Sequence, residues 1–380
     1  MKSHFYAGLF IVILSSTTPN VAYTQSNPNN VITTAVPFLR VAPDARAAGM
    51  GDIGLATSPD ANAMFYNMGK VAFNTSSSGL AFSYTPWLPE LDRKSSYLLS
   101  GSYFHKLDDM QAVSAGVRYL SQGNFDLTDD FGNTINSFKP TDLAVEAGYS
   151  RKLSTASGIG LSIRYIRSRL ADESGDIKAG NSVAADLGYF YSGIKSSGSG
   201  WNFGFAFTNL GAKISYVKNS DIKDFIPANL GVGTSYTKAV NADNKITFGI
   251  DVNKLLVPTP DNSSEDAMEK YRNRGVVGSW FKSYTDAPGG FREEVKELQI
   301  GLGAEYMYKQ QFALRAGYFD EHESKGSRKY VTAGAGFRMK SAGLDFSYLV
   351  PTGSDVNNNP LKNTFRVSLM FNFNKNTASK

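Results

Sequence analysis

The sequence contains no cysteine among its 380 residues. Disulfides, thiolate metal sites, a cysteine nucleophile and the acylated cysteine of a lipoprotein are therefore excluded. Long hydrophobic runs are also lacking: the apolar run Phe5–Leu14 is far shorter than the roughly 20 residues of a membrane-spanning helix, and no later run qualifies. The mean hydropathy is −0.26, which also argues against a helical membrane protein.

The N-terminus has the features of a secretory signal peptide. Lys2 supplies the positive charge, Phe5–Leu14 forms a short apolar core, and small residues lead to possible cleavage sites after Ala22 or Thr24. We therefore expect residues 1–24 to be a signal peptide that directs the mature chain out of the cytoplasm.

The positive charges are dispersed rather than clustered. The net charge is +5 and the pI is about 9.0, but the lysines and arginines lie in predicted loops and strand ends. A nucleic-acid-binding domain requires a clustered basic stripe, so we expect no nucleic-acid partner. Loops that face anionic lipopolysaccharide are the better interpretation of this charge.

The main positive signal is an alternation of apolar and polar side chains with a period of two. In the last such segment, Phe365–Phe373, aromatic and aliphatic residues occupy one face, whereas Arg366 and Asn372 lie on the other. Similar segments recur from about Gly79, and transmembrane β-barrels alternate lipid-facing and lumen-facing residues in this way. We predict an all-β fold, a transmembrane antiparallel β-barrel of about 14 strands over residues 79–373, with a polar tail over residues 374–380.

The predicted connections alternate between short turns, such as Lys309–Gln311, and long loops, such as Ser121–Thr141 and Lys254–Lys296. Outer-membrane barrels have short periplasmic turns and longer extracellular loops. A soluble β-sandwich has no physical reason to alternate its connections in this way. The pattern therefore predicts an outer-membrane barrel with every long loop outside the cell.

Ionisable residues in the predicted strands fall on the inward face. An arginine that faced lipid near the bilayer midplane would cost about 2–4 kcal/mol, so a barrel requires this placement. Neighbouring strands often carry opposite signs, which predicts cross-strand ion pairs inside a filled lumen rather than a selectivity ring of one charge. The predicted lumen charge network consists of Arg118, Glu146, Arg164, Asp186, Asp251, Glu305, Arg315, Arg338, Asp345 and Arg366.

The segment before the barrel has a different character. Val31–Ala72 contains few alternating runs, a helix-cap signal at Pro43–Asp44, and helical stretches around Ala45–Met50 and Asp60–Met68. Such a segment is either a periplasmic tail or a plug in the lumen. Because many inward positions of the strands are glycine, which leaves space inside, we assign residues 25–78 to an N-terminal plug.

Two motifs resemble cofactor sites but lack the required context. Gly49–Gly54 has the glycine spacing of a dinucleotide fingerprint without the βαβ unit around it. Asp126–Asn133 resembles a calcium loop, yet Phe131 occupies the position that needs glycine. The 3 histidines are predicted to lie in the signal, a short turn and an exterior loop, so they cannot converge. We therefore expect no cofactor, no metal site and no catalytic site.

A longer motif carries a family resemblance. The segment FLRVAPDARAAGMGDIGLATSPDAN, residues 38–62, resembles the N-terminal signature of the PorV family of the type IX secretion system, one of the FadL-like barrel families. Later segments similar to the same family are Phe225–Gly231, Leu314–Phe319, Lys325–Tyr330 and Leu344–Pro351. The chain departs from the family at Asn67-Met-Gly69, where Asn-Pro-Ala is usual.

The resemblance implies an integral outer-membrane protein of a Gram-negative bacterium with an N-terminal plug. Members of the family bind the C-terminal domains of secreted cargo at the outer-membrane translocon and deliver them to a surface sortase-like protease, which attaches the cargo to lipopolysaccharide. The expected partners are thus the translocon, the sortase-like protease, cargo C-terminal domains, and lipopolysaccharide with outer-membrane lipid. The alternative is a FadL-type transporter of hydrophobic small molecules, which would need a continuous apolar pocket.

The longest predicted exterior loop, Lys254–Lys296, is the expected site of cargo contact. A cap signal at Asp261–Asp266 predicts a helix through Met268 and Arg272. An apolar cluster follows outside the predicted membrane region, where exposed apolar residues mark interaction surfaces. Folding back of this cluster over the barrel mouth is the alternative. The predicted partner-binding residues are Val276, Val277, Trp280, Phe281 and Tyr284.

Overall fold

The computed structural model describes residues 31–87, 96–173, 175–220, 222–260, 264–353 and 362–374. The predicted signal peptide lies outside the described residues, as do residues 25–30 of the predicted plug and all but Asn374 of the predicted polar tail. In the described part of the chain, no helix has the length and apolarity required to cross a membrane.

Within the described ranges, fourteen antiparallel strands close into a barrel and two more strands form a separate hairpin, which confirms the predicted fold. The hairpin consists of β4 and β5 and lies in the long loop between β3 and β6. The strands are β1 (Ser78–Pro86), β2 (Ser96–Lys106), β3 (Gln111–Gln122), β4 (Phe125–Thr128), β5 (Thr134–Phe138), β6 (Thr141–Lys152), β7 (Ser157–Arg169), β8 (Gly180–Ser192), β9 (Gly200–Gly211), β10 (Asn229–Ala239), β11 (Asn244–Leu255), β12 (Leu298–Tyr308), β13 (Phe312–Asp320), β14 (Lys329–Arg338), β15 (Ala342–Pro351) and β16 (Phe365–Phe373).

The barrel closes because its first and last strands pair, from Ser78 with Phe373 to Tyr84 with Val367. Every other barrel strand pairs with its neighbours in chain order, and β3 reaches β6 across the inserted hairpin. Short turns join the strands at one end of the barrel, and long loops join them at the other. We call these the short-turn end and the long-loop end; outer-membrane barrels have their long loops on the extracellular side.

Strand β7 shows how the period of two separates the two faces of the wall. Leu161 and Ile163 point outward and are exposed, whereas Ser162 and Arg164 point inward and are buried. Lipid provides apolar surroundings for the outward side chains, and the lumen accommodates the polar ones. The same alternation in the other strands produces an apolar outer wall around a polar interior.

Residues 31–74, here called the plug, fill the lumen. The first part of the plug, around Phe38, packs against Leu98 and other side chains of the long-loop end. Its last part, around Met68, packs against Phe104 at the short-turn end. The plug therefore runs through the whole lumen before β1 begins. Its helical elements are α1 (Ala45–Ala48) and the 3-10 turns Pro37–Arg40, Ala63–Phe65 and Met68–Phe73.

Glycines of the inner wall allow the backbone of the plug to approach the strands. Gly51 has a φ of 67°, a conformation that residues with a Cβ rarely adopt. Its nitrogen lies so close to Gly317 of β13 that a Cβ at Gly317 would overlap it. A Cβ at Gly204 of β9 would likewise overlap the carbonyl group of Leu55. Inner-wall glycine thus provides the space that the plug occupies.

The loop between β11 and β12 folds into helices on the rim of the barrel. The first, α2, spans Glu265–Asn273, where the cap signal predicts a helix. Tyr271 of α2 packs against Phe225 from the loop between β9 and β10, which holds α2 against the rim. The other two helices, α3 (Val276–Lys282) and α4 (Phe291–Lys296), are not predicted from the sequence.

Candidate functional site

The first group of lumen charges is centred on an arginine of β7. Arg164 Nε donates a hydrogen bond to Glu146 Oε2 at 3.0 Å, and Arg164 Nη2 lies 2.7 Å from Asp186 Oδ2. Arg118 Nη2 lies 4.0 Å from the same glutamate, and Arg118 Nη1 donates to the carbonyl oxygen of Leu39 in the plug at 3.0 Å. All four charged side chains are buried. Ion pairs buried away from bulk solvent therefore link β3, β6, β7 and β8.

A second group of charges lies on β12 to β15. Arg315 Nε donates to Glu305 Oε2 at 2.7 Å, and Arg315 Nη1 lies 2.8 Å from Asp345 Oδ1. Arg338 Nη2 contacts the same aspartate at 2.6 Å. Glu305 also lies 3.0 Å from Arg46 of the plug. This group therefore joins the wall of the barrel to the plug.

Two residues of the predicted network depart from cross-strand ion pairing. Asp251 accepts hydrogen bonds from the backbone N–H groups of Gly54 at 2.6 Å and Leu55 at 2.9 Å, so it binds the plug instead of a cation on a neighbouring strand. Arg366 is buried, but within the described residues it forms no ion pair, and its Nε and Nη2 have no hydrogen-bond partner. Strand order alone does not account for either environment.

Several charged residues of the plug belong to the site and were missed by the sequence analysis. Arg46 lies 2.9 Å from Asp60 in addition to its contact with the wall. The Tyr66 hydroxyl donates to Asp44 at 2.6 Å, and the buried Lys70 donates to backbone and hydroxyl oxygens of the plug. The available signal was the presence of charges in a segment otherwise made of small and apolar residues. These contacts give the plug a polar interior of its own.

The plug leaves a lumen cavity of about 80 Å³ on the side of the long-loop end. This volume accommodates about five to eight water molecules, at 10–15 Å³ each. Six of its nineteen lining residues are charged and six more are polar, so the lining suits water better than a hydrocarbon. The charged residues of the lining are Arg40, Arg118, Arg164, Arg328, Asp52 and Asp251.

A cluster of ion pairs fixes α4 to the rim. Lys254 at the end of β11 lies 2.9 Å from Glu294 and 2.6 Å from Glu297. Lys325, from the loop between β13 and β14, lies 2.9 Å from Glu297 and 2.6 Å from Glu293. Both lysines are largely buried. We call these five residues the rim cluster. Their ion pairs determine which face of α4 points toward solvent or lipid.

The structure divides the predicted partner-binding residues into two sets. Val276 packs against the apolar cluster of Phe225, Val257 and Tyr271 on the rim, and Trp280 is half-buried. Val277 and Phe281, one helical turn apart on α3, are 58% and 74% exposed. Tyr284, in the turn after α3, is 41% exposed. The free apolar surface is therefore narrower than the predicted set.

A family model described as type IX secretion system protein PorV matches residues 24–262, more than half of the chain. The chain belongs to the PorV family. The match covers the plug and the strands up to β11, and it ends just before α2. This membership and the closed barrel identify an integral outer-membrane protein of type IX secretion. A comparison with curated proteins gave no significant match.

Solved structures of hydrocarbon channels share the fold of this PorV-family chain. The toluene transporter TbuX of Ralstonia pickettii has a TM-score of 0.53 and 13% identity, over 87% of this chain and 98% of that chain. The toluene transporter TodX of P. putida gives the same values, 0.53, 13%, 87% and 98%. The monoaromatic hydrocarbon channel CymD has a TM-score of 0.54 and 13% identity, over 88% of this chain and 98% of that chain. At such identity the likeness establishes the FadL-like barrel fold alone.

One carboxyl group makes the long loop of this PorV-family protein sensitive to pH. Burial raises the pKa of Asp286 from 3.8 to about 6; a backbone hydrogen bond from Thr259 and the charge of Arg274 oppose this shift, and the charges of Glu294 and Glu297 reinforce it. The folded loop therefore binds this proton more tightly than the unfolded chain does. Protonation of Asp286 stabilises the folded loop fully below about pH 4, and this stabilisation is lost as the pH rises through about 6.

We expect the backbone amides of α3 and α4 to be better protected from hydrogen exchange at pH 5 than at pH 8, after correction for the intrinsic exchange rate. The Asp286→Asn variant should lose most of this difference, because its side chain does not titrate. Exchange measured by mass spectrometry on both proteins provides the test. An equal pH dependence in the variant would assign the effect to another group.

Proposed function

We propose that this protein is a docking and shuttle protein of type IX secretion. It binds the C-terminal domains of secreted cargo at the translocon and carries them to the surface sortase-like protease. The match to the PorV family supports this role. The filled lumen supports it as well, because a barrel occupied by a plug and buried ion pairs offers cargo no path through its centre and leaves the exterior loops as the contact surface.

We place the cargo contact on α3. Val277 and Phe281 present exposed apolar side chains on one face of this helix, outside the membrane-spanning strands. Exposed apolar patches on a folded surface mark interaction sites, and aromatic residues commonly anchor them. The buried side of α3, with Ser279, stays against the rim, so the exposed side chains have no structural task in the described fold.

The alternative function is the transport of hydrophobic small molecules. The solved structures with this fold include toluene transporters, but at 13% identity they support the fold only. The lumen cavity of about 80 Å³ has four arginines and two aspartates among its lining residues, so it is not the continuous apolar pocket that such transport needs. The geometry therefore favours docking over transport.

Substitution of Val277 and Phe281 by serine should weaken capture of a purified cargo C-terminal domain by about tenfold or more, because two exposed apolar anchors are lost. The barrel should still assemble, since neither side chain is buried. Binding of the domain to wild-type and variant barrels in detergent, measured by biolayer interferometry, gives the ratio directly.

The matched control is a double variant of α2, with Lys270→Ser and Arg272→Ser, because both of these side chains are exposed on the same loop. It should capture cargo as the wild type does. Heat-modifiable migration on gels confirms that each variant is a folded barrel. Undiminished capture by a folded α3 variant would exclude α3 as the cargo contact.

A further inference from the structure

The long loop and the outer wall of the barrel enclose a second cavity, which lies outside the lumen. It is a groove of about 280 Å³, and most of its lining is apolar. The outward faces of β10, β11 and β12 form its floor, and α4 with the turn after α3 forms its side. Apolar side chains of its lining include Leu230, Val252, Leu298, Tyr284, Phe291 and Val295.

The floor of the groove is continuous with the lipid-facing wall. Val232 of β10, which also lines the groove, and Leu302 of β12 lie on the outward face and are 51% and 43% exposed. Because these strands begin or end at the long-loop end, the groove opens toward the outer leaflet of the membrane. Phe291 at its edge is 82% exposed. An aromatic side chain at this level matches the interfacial belts of membrane proteins.

The charges of α4 are segregated between its two faces. Glu293 and Glu294, with Glu297 just after the helix, all turn inward to the lysines of the rim cluster. The outward side therefore carries Phe291 and Val295, which are four residues apart and share one face, next to two exposed cations. The cations are Arg292 and Lys296, and neither forms an ion pair within the described residues.

Apolar side chains flanked by unpaired cations are the signature of a surface that binds anionic lipid. A partner protein that approached the wall would meet the same apolar floor, but it would not require two cations beside it. The outer leaflet of a Gram-negative outer membrane presents lipopolysaccharide, whose lipid A part combines acyl chains with phosphate groups. This combination matches the groove and its adjacent cations.

We propose that this groove is a lipid-binding site for lipopolysaccharide. One acyl chain of lipid A lies along Leu230, Val252 and Leu298 under α4, and Arg292 and Lys296 bind a phosphate of its headgroup. The rim cluster holds α4 in the orientation that makes this possible. The site is separate from the α3 surface assigned to cargo, and its occupation does not depend on that assignment.

Native mass spectrometry of the full mature protein in detergent, with purified lipid A added, tests the proposal. The Arg292→Gln/Lys296→Gln variant should bind lipid A about 30-fold more weakly than the wild type, since each cation near a membrane surface contributes about 1 kcal/mol. The matched control is Lys270→Gln/Arg272→Gln on α2, which removes the same charge from the same loop and should bind as the wild type does. Dephosphorylated lipid A should bind the wild type and the α4 variant equally weakly.

A second pair of substitutions distinguishes the contribution of the acyl chain to binding from that of the headgroup. Phe291→Ser/Val295→Ser should weaken binding of both lipid A and its dephosphorylated form, because the groove loses its apolar side. Equal binding of lipid A by the wild type and the α4 cation variant would overturn the proposal. An equally large loss of lipid A binding in the α2 control would also overturn it, and so would binding of phosphatidylglycerol to the wild type as tight as that of lipid A. Either result would show that the protein attracts anionic lipids nonspecifically. Gel migration confirms folding of every variant.

Discussion

Replacing Arg164 by methionine is expected to lower the free energy of unfolding of the barrel by about 3–5 kcal/mol. The substitution leaves Glu146 and Asp186 in a buried position without the cation that lies within 3.0 Å of both. Uncompensated buried carboxylates carry a large desolvation penalty. Urea unfolding of the purified barrel in lipid vesicles, followed by tryptophan fluorescence, measures the change.

The same strand provides a matched control. Arg167 is half-exposed and forms only a 3.4 Å ion pair with the exposed Glu173. Its replacement by methionine should change the free energy of unfolding by less than about 1 kcal/mol. Adding Glu146→Gln and Asp186→Asn to the Arg164 variant should recover part of the loss, because the remaining buried groups are then neutral. Equal destabilisation by the two arginine variants would contradict this account of the lumen.

The second large effect concerns the seal of the lumen. In planar-bilayer recordings we expect the wild type to show little steady conductance and the Gly317→Val variant to show a stable current. A side chain at Gly317 would occupy the space of the plug backbone at Gly51. Because that backbone has a positive φ and close neighbours on both sides, it cannot give way without displacing the plug.

Gly101→Val is the control for this experiment. Gly101 lies on a barrel strand, but a Cβ there would meet only side-chain atoms of Val117 and Phe82, at 3.4 Å and beyond. This variant should keep the low conductance of the wild type. A large wild-type current would contradict the plugged lumen, and a silent but folded Gly317 variant would show that the seal does not depend on this backbone contact.

Much of the wall follows from local rules that a sequence displays directly. The period of two and the cost of a charge in lipid place Arg164 and Arg315 inside without knowledge of any contact. Neighbours in sequence are also neighbours in the sheet, so opposite charges on β6, β7 and β8 predict the pairing of Arg164 with Glu146 and Asp186, which the structure contains. The strand number follows in the same way from counting turns.

Contacts between distant segments have no comparable signal. Arg46 and Glu305 are 259 positions apart, and Asp251 binds plug residues 196 and 197 positions away. No periodicity links these residues, so a prediction based on strand order assigns Asp251 to an ion pair that it does not form. The rim was unpredictable for the same reason, because α4 is oriented by lysines from two different parts of the chain. The exposed face of α3 depends in turn on the packing of Val276 and Ser279 against the rim, which has no local signal in the sequence either.

The path of the plug also restricts the order of assembly. The plug joins β1 at the short-turn end and reaches the opposite mouth, while β1 and β16 form the seam that completes the cylinder. If the seam formed first, more than a full barrel length of chain, with the buried Arg46 and Lys70, would have to thread through a closed tube. Closure of the last strand around a plug already in place requires no such passage. A barrel built by this route already has its lumen occupied when the seam between β1 and β16 closes.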